Sequence, residues 1–398
     1  MSIYDVTPMS VEDYRKRAKR RLPRFLFDYI EGAANSEDSA ADNESDFRRF
    51  RLKQRVLRNV EGVSTQSTLL GRDVKMPMAI APVGMAGMFG RRGEVQGARA
   101  AARAGIPFTT STVGICPIEE VAAATQDPAW FQLYMLRDRE LVEEMLSRAE
   151  TAGCDTLVFT IDLAVAGMRL RDYRNGMLGG GLAGKLSQLA QFVTSPVWAV
   201  DVGLKGKPHT FGNLSHAVAN PNDLTDYKAF VDSQFDPTVT WEDIEWLRGR
   251  WKGKLVLKGL LEADDARAAV EVGADGLIVS NHGGRQLDGV ASPIMKLPEV
   301  AAEVGGEIEI LLDGGVRSGI DVAKALALGA QGVLIGRPWV YAMASRGETG
   351  LTNLLDLFQQ ELAIAMALMG IKDMKDFSSD VIERASIDAS IDASFAAY

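Results

Sequence analysis

Histidine is scarce in this chain. Only three occur in 398 residues, His209, His216 and His282, so few side chains can exchange a proton near neutral pH. Cysteine is scarcer still. Cys116 and Cys154 stand far apart with no second pair, which argues against a disulfide framework or a cysteine zinc site, and no metal is expected. No apolar run approaches the ~20 residues that span a bilayer, and the charged stretch 1–24 has no apolar segment of the kind a signal peptide carries. Positive charge is in deficit as well, since a net charge of -9 argues against a nucleic-acid partner. A reduced, cytoplasmic setting is the expectation.

What is present is a repeat. From residue 76 onward, short apolar and β-branched runs alternate with helical patterns. Eight runs stand at 78–81, 107–110, 130–134, 156–160, 254–258, 276–280, 308–312 and 332–336. Runs apolar on successive residues suit parallel strands buried on both faces, with segments such as 139–152 as crossovers. Eight such units predict a single α/β domain, 1–398, built on a closed (β/α)8 TIM barrel over 76–370. Residues 1–75, with helical patterns at 11–19 and 24–32, predict a helical cap over one barrel end. A long insertion after strand 4 spans 163–253, and a tail, 371–398, ends in a loosely held repeat of Ile-Asp-Ala-Ser. Within the insertion, Gly179-Gly180-Gly181-Leu182-Ala183-Gly184 matches the dinucleotide pattern G-x-G-x-x-G. It follows a polar run and not a strand, so a flexible loop is expected there and no nucleotide site.

Chemistry concentrates at Ser280-Asn281-His282-Gly283-Gly284-Arg285-Gln286-Leu287-Asp288-Gly289, directly after a buried-strand pattern. An imidazole can take a proton near neutral pH, and a guanidinium can grip a carboxylate by two parallel bonds. A glycine-rich turn with an incidental histidine would look the same in isolation. In (β/α)8 enzymes, however, the working residues sit at the C-terminal ends of strands, and the other seven ends are polar too. Strand 1 ends in Ala81, Pro82 and Val83, whose backbone could meet a flat ring. Strand 2 ends in Ser111, and strand 3 carries Gln132 and Tyr134. Strand 4 ends in Thr160 and Asp162, with Arg169 soon after, and strand 5 in Lys258. Taken singly, Lys258 could be a solvated lysine, Asp162 a helix cap, and Ser111 and Thr160 ordinary barrel residues. Asp313, Gly314, Gly315 and Arg317 follow strand 7, and Gly336 and Arg337 follow strand 8. They would present backbone N–H groups and two guanidiniums to an anion at this fold's usual phosphate position, with Asp313 free to accept from a ribityl or ribose hydroxyl. A phosphate-bearing cofactor or substrate is expected.

These residues resemble the FMN-dependent L-2-hydroxy acid oxidising family, which includes glycolate oxidase, L-lactate dehydrogenase and mandelate dehydrogenase. The matching motifs are SNHGGRQLD at 280–288, DGGVR at 313–317, FQLY at 131–134 and Gly336-Arg337. APVGMAGM at 81–88, the segment 91–94, residues 111–113 with CPIEE at 116–120, and DVGL at 201–204 are most similar to the bacterial respiratory L-lactate dehydrogenase branch. The resemblance implies FMN across the barrel mouth, held by Ala81, Pro82, Val83, Ser111, Gln132, Thr160, Lys258 and Ser280. Its phosphate would lie on Asp313, Gly314, Gly315, Arg317, Gly336 and Arg337. The substrate carboxylate would meet Arg169 and Arg285, with Tyr29 and Tyr134 completing the pocket, His282 as the base and Asp162 orienting it. A homotetramer and a quinone or cytochrome as electron acceptor are implied as well.

Where the glycolate oxidase branch has tryptophan this chain has Val113, and Ala166 is likewise small. Lactate fits such a pocket, and so would mandelate or another aryl 2-hydroxy acid. Residues 176–215 stand where membrane-bound members carry a lipid-facing segment. Apolar residues there, with Lys185, Trp198, Lys205 and Lys207, would suit a peripheral contact with the cytoplasmic face of the inner membrane. A loop covering the active site or an oligomer contact is the competing expectation. An oxygen-using oxidase, or a non-redox barrel that binds a phosphorylated metabolite, would share most of these features.

Overall fold

The computed structural model of the protein describes residues 7–177, 181–218, 230 and 233–384, so the expected tail segment 386–398 lies outside the described residues. The central sheet has eight parallel strands: β1 (Met78–Ile80), β2 (Thr109–Ser111), β3 (Trp130–Leu133), β4 (Thr156–Thr160), β5 (Lys254–Leu260), β6 (Gly276–Val279), β7 (Glu309–Leu312) and β8 (Gly332–Ile335). Each pairs with its sequence neighbour, and β8 returns to β1. A parallel bridge from Ile80 to Phe108, beside an Ile80 N to Pro107 O bond of 2.9 Å, closes the ring. The strand expected at 107–110 thus divides its work. Pro107 and Phe108 meet β1, and the ladder to β3 runs over Thr109–Ser111.

Side-chain alternation along the strands sorts two cores. Ala79, Ala81, Trp130, Val158, Val256, Ile278, Leu311 and Leu334 fill the barrel interior, and their neighbours, such as Leu157, Leu255, Leu257 and Leu277, pack outward under the helices. The N-terminal mouth is plugged by a short antiparallel hairpin, Ser67–Leu69 with Arg72–Val74, which inserts Leu69, Leu70 and Val74 into the interior core. Glycine at 332 makes room for this plug, because a Cβ there would lie 2.6 Å from Leu69.

The N-terminal cap region carries helices at Val11–Arg21, Arg24–Glu31 and Asp38–Ser45. Ser10 starts the first by accepting from Asp13 N. The chain's far end returns to this region, where Phe50–Leu52 pairs antiparallel with Ile382–Arg384.

The insertion departs from expectation. Residues 178–180 lie outside the described residues, but from Gly181 the chain is helical to Thr194, and short helical segments follow through Leu204. Tertiary anchors outweigh the helix cost of its glycines. Phe192 stacks on Trp198 at 5.3 Å and meets Phe25 edge-on at 5.8 Å. Gln191 Oε1 accepts from Phe25 N, and Trp198 Nε1 donates to Met88 O. The insertion is therefore bolted to the cap and to the loop after β1. Its return is tied to the loop after β3 by a bridge from Leu136 to Phe235.

Candidate active site

The period of two that fills the barrel also makes its polar floor. Two residues beyond the interior layer of Val158, Val256, Ile278 and Leu311 stand Thr160, Lys258, Ser280 and Asp313, all buried. Ser111 Oγ donates to Gln132 Oε1 at 3.0 Å, and Gln132 Nε2 donates to Thr160 Oγ1 at 3.1 Å. Lys258 Nζ lies 2.9 Å from Ser280 Oγ and 2.8 Å from Asp313 Oδ2. Enclosing a lysine to 4% exposure is costly unless such partners surround it. The floor residues read singly from strand ends thus form two bonded sets, side by side where Thr160 and Lys258 are strand partners.

The segment after β6 accounts for its whole motif. Ser280 Oγ also accepts from His282 N, and the buried Asn281 exchanges two amide hydrogen bonds of 2.8 Å with Asn43 of the cap. His282 takes a left-handed backbone, φ 58°, and its Nδ1 lies 2.7 Å from Asp162 Oδ1. Gly283 follows with φ 67°, and a Cβ on it would lie 2.7 Å from Arg337 Nη1. Arg285 stacks 4.8 Å over Tyr29 and donates to the carbonyls of Tyr29 and Gly32. Asp288 accepts from the backbone N–H groups of Ser36, Glu37 and Ser39.

Electrostatics distinguish these groups. Burial pushes the Asp162 carboxyl up, but the charge and hydrogen bond of His282, together with Lys258, hold it below the usual carboxylate range. Burial, with the nearby Arg169, pulls Arg285 down to about 10. Two crowded guanidiniums of this kind are a receptor for an anion. Burial and the Asp162 charge raise the Tyr134 phenol, which stays protonated at neutral pH. Among the described residues, Asp162 Oδ2, Arg169 Nε and Asp313 Oδ1 are buried with no hydrogen-bond partner.

Arg337, a residue expected beside a phosphate, donates to the carbonyls of Ile30, Gly283 and Gly32, where it satisfies the end of a cap helix. Arg317 is bound to Glu44 and to the carbonyl of Val316. Both line the cavity, yet their guanidiniums are committed to protein partners. Gly314 and Gly315 line the cavity with positive φ, 96° and 86°. Asn43, Gln286 and Phe235 join the site beyond the residues expected from the strand ends. Asn43 sits in a polar cap helix that carries no signal. Gln286 lies inside the recognised motif, and Phe235, edge-on to Tyr134 at 5.5 Å, enters from the insertion.

A cavity of about 1010 Å³ joins these groups, lined by Tyr29, Ala81–Val83, Tyr134, Arg169, Lys258, His282, Arg285 and residues 313–317 and 336–337. The lining fits FMN. It offers a buried lysine, an unpartnered Asp313 oxygen able to accept from a hydroxyl, and open backbone at Gly314 and Gly315 for a phosphate. A (β/α)8 barrel with a carboxylate-oriented histidine, an arginine pair and such a lining defines a flavin-dependent oxidoreductase of small acids.

The FMN-dependent dehydrogenase family matches residues 18–384. An L-lactate dehydrogenase of Stenotrophomonas maltophilia (strain R551-3) is 53% identical over 92% of this chain and 97% of its own length. One from Caulobacter sp. (strain K31) is 50% identical over 94% and 98%. Among solved structures, the monotopic membrane protein (S)-mandelate dehydrogenase superposes with a TM-score of 0.90 at 38% identity, covering 95% of this chain and 100% of its own. A mandelate oxidase gives 0.80 at 39%, covering 95% and 98%. The chain belongs to the FMN-dependent dehydrogenase family. It is an FMN-dependent 2-hydroxy acid dehydrogenase, and FMN is its cofactor.

Proposed function

We propose that the chain oxidises L-lactate to pyruvate, with His282 as the base, and passes the electrons to a quinone or a cytochrome. The observation that carries this reading is the 2.7 Å His282–Asp162 pair, whose histidine lines one cavity with Arg169 and Arg285. Asp162 engages Nδ1 and leaves Nε2 of the imidazole to take the hydroxyl proton; the ionised carboxylate then stabilises the imidazolium. Arg169 and Arg285 fix the substrate carboxylate, with Tyr29 and Tyr134 beside them, and so orient the carbinol. FMN, when bound, accepts the two electrons of the oxidation. Ala81–Val83, Ser111, Gln132, Thr160, Lys258 and Ser280 would hold it, with its phosphate toward Asp313–Arg317 and Gly336-Arg337. The identity of 50–53% to L-lactate dehydrogenases favours lactate over its homologues.

Anaerobic mixing of the purified yellow protein with L-lactate tests this directly. Rapid bleaching of the flavin band is expected, with reoxidation faster by a quinone analogue or a cytochrome than by oxygen. No bleaching by L-lactate would overturn the substrate. A second reading, an aryl acid such as mandelate, is favoured by the small Val113 and Ala166 in the cavity wall, and L-mandelate bleaching alone would select it.

A lipid surface is the further partner we propose. No helix among the described residues is long and apolar enough to cross a membrane. Leu186, Leu189, Val193, Val197, Val200 and Leu204 are all exposed at helical spacing along the insertion, with exposed Lys205 and Lys207 at its end. An apolar stripe with cations at its margin suits insertion to headgroup depth. A homotetramer is proposed on the family resemblance, and sedimentation would check it.

A further inference from the structure

We infer that Gln286 is a positioning residue whose single side-chain amide sets both the seat of Asp162 and the reach of Arg169. Its Nε2 donates to Asp162 O and to Val165 O, each at 2.9 Å. Its Oε1 accepts from Gly167 N at 3.3 Å and from Arg169 Nη2 at 3.5 Å. A carboxamide has two N–H donors and two acceptor lone pairs, so every valence is used. All four partners lie in one segment, 162–169. Their chemistry also dictates the amide's orientation, because two carbonyls require the NH2 side and an N–H and a guanidinium require the oxygen.

The segment has little else to hold it. Ala164, Val165, Ala166 and Met168 are exposed, so it contributes no core of its own. It lies against the backbone of 285–286, since a Cβ on Gly167 would fall 2.3 Å from Arg285 O. One further tie, Asn35 N to Met168 O, joins it to the cap. Yet this segment carries the carboxylate that meets His282 Nδ1 and a guanidinium that faces the cavity. Gln286 therefore locks the loop after β4 to the loop after β6, and the two halves of the proposed machinery keep one register. The inference rests on the proposed roles of Asp162, His282 and Arg169.

The test uses FMN-loaded Gln286→Glu and Gln286→Leu, alone and combined with Arg169→Ala. Gln286→Glu keeps the shape, but it removes both donors, turns a carboxylate toward two carbonyls and pairs Arg169 away from the substrate. In both single variants the apparent Kd for L-lactate and for the competitor oxalate should rise roughly tenfold, as expected for lost polar positioning of a charged group. The limiting rate of flavin reduction should fall roughly 10- to 100-fold from misplacement alone, with the flavin spectrum unchanged. The decisive reading is the double-mutant cycle. On the Arg169→Ala background, removing Gln286 should weaken oxalate no further, because the two act through one contact. Additive losses in that cycle, or wild-type affinity and rate in both single variants, would overturn the inference. If L-lactate fails to reduce the wild-type flavin, the substrate reading fails, and the oxalate cycle still decides the role of Gln286.

Discussion

His282 holds a left-handed backbone that a β-carbon disfavours, and its neighbours over-determine it through Ser280 Oγ, Arg337 and Asp162. Strain retained at the histidine that meets the half-buried Asp162 carboxylate fits a base held ready. His282→Gln should keep FMN and lose about 10²- to 10⁴-fold in the rate of flavin reduction by L-lactate, read by stopped-flow absorbance. Tyr134→Phe, which deletes a phenol kept protonated by burial, should raise the Kd for L-lactate by about 2- to 10-fold with a smaller effect on the rate. Asp162 supplies a pH prediction. Its carboxyl sits below the usual 3.8 in the folded chain, so the stabilisation is complete above that value and fades as pH falls through the folded value. The stability gap between wild type and Asp162→Asn should be widest at neutral pH and narrow below about pH 4, as urea melts across that range would show. At this scale the sequence was informative, because strand alternation alone carries Thr160, Lys258, Ser280 and Asp313 to one floor. The partners of Arg317 and Arg337 were not legible. They are backbone carbonyls and a cap glutamate, and no motif advertises those.

The insertion makes the same point for elements. Its glycines suggest a loop, and local propensity supports that; helix Gly181–Thr194 forms because Phe192, Gln191 and the following Trp198 find partners on the cap and after β1. The inward face is therefore already occupied, and the outward stripe is left to something else. Burying one such side chain in an apolar medium stabilises by about 1.5–3 kcal/mol. Leu189→Glu with Val193→Glu should accordingly reduce binding to anionic vesicles by more than about tenfold in a co-sedimentation assay, with flavin reduction by L-lactate unchanged. Unaltered vesicle binding in that variant would leave the stripe to an oligomer contact, which sedimentation would then reveal.

Across the whole molecule, the cap and the catalytic face are a single assembly. Arg285 and Arg337 satisfy the carbonyls of Tyr29, Ile30 and Gly32, which the helix Arg24–Glu31 would otherwise leave bare at its negative end. Asp288 satisfies the N–H groups that lead into the next cap helix. The most enclosed joint is the reciprocal amide pair of Asn43 and Asn281, which lie 238 residues apart, at 2% and 5% exposure. Asn43→Ala would remove both bonds of the pair and leave the Asn281 amide with Gly284 N and a long contact to Ala291 O, which costs about 1–3 kcal/mol, so a thermal or urea melt should report a loss of that size. Because Asn281 precedes His282, the limiting rate of flavin reduction should fall in the same variant while the flavin spectrum stays as in the wild type. Asn43→Asp, which keeps an acceptor for Asn281 Nδ2 but turns a carboxylate oxygen toward its Oδ1 in a site only 2% exposed, should lose at least as much on both measurements. A full loss of stability with an unchanged rate would mean that the cap clamps the barrel without helping to place its base.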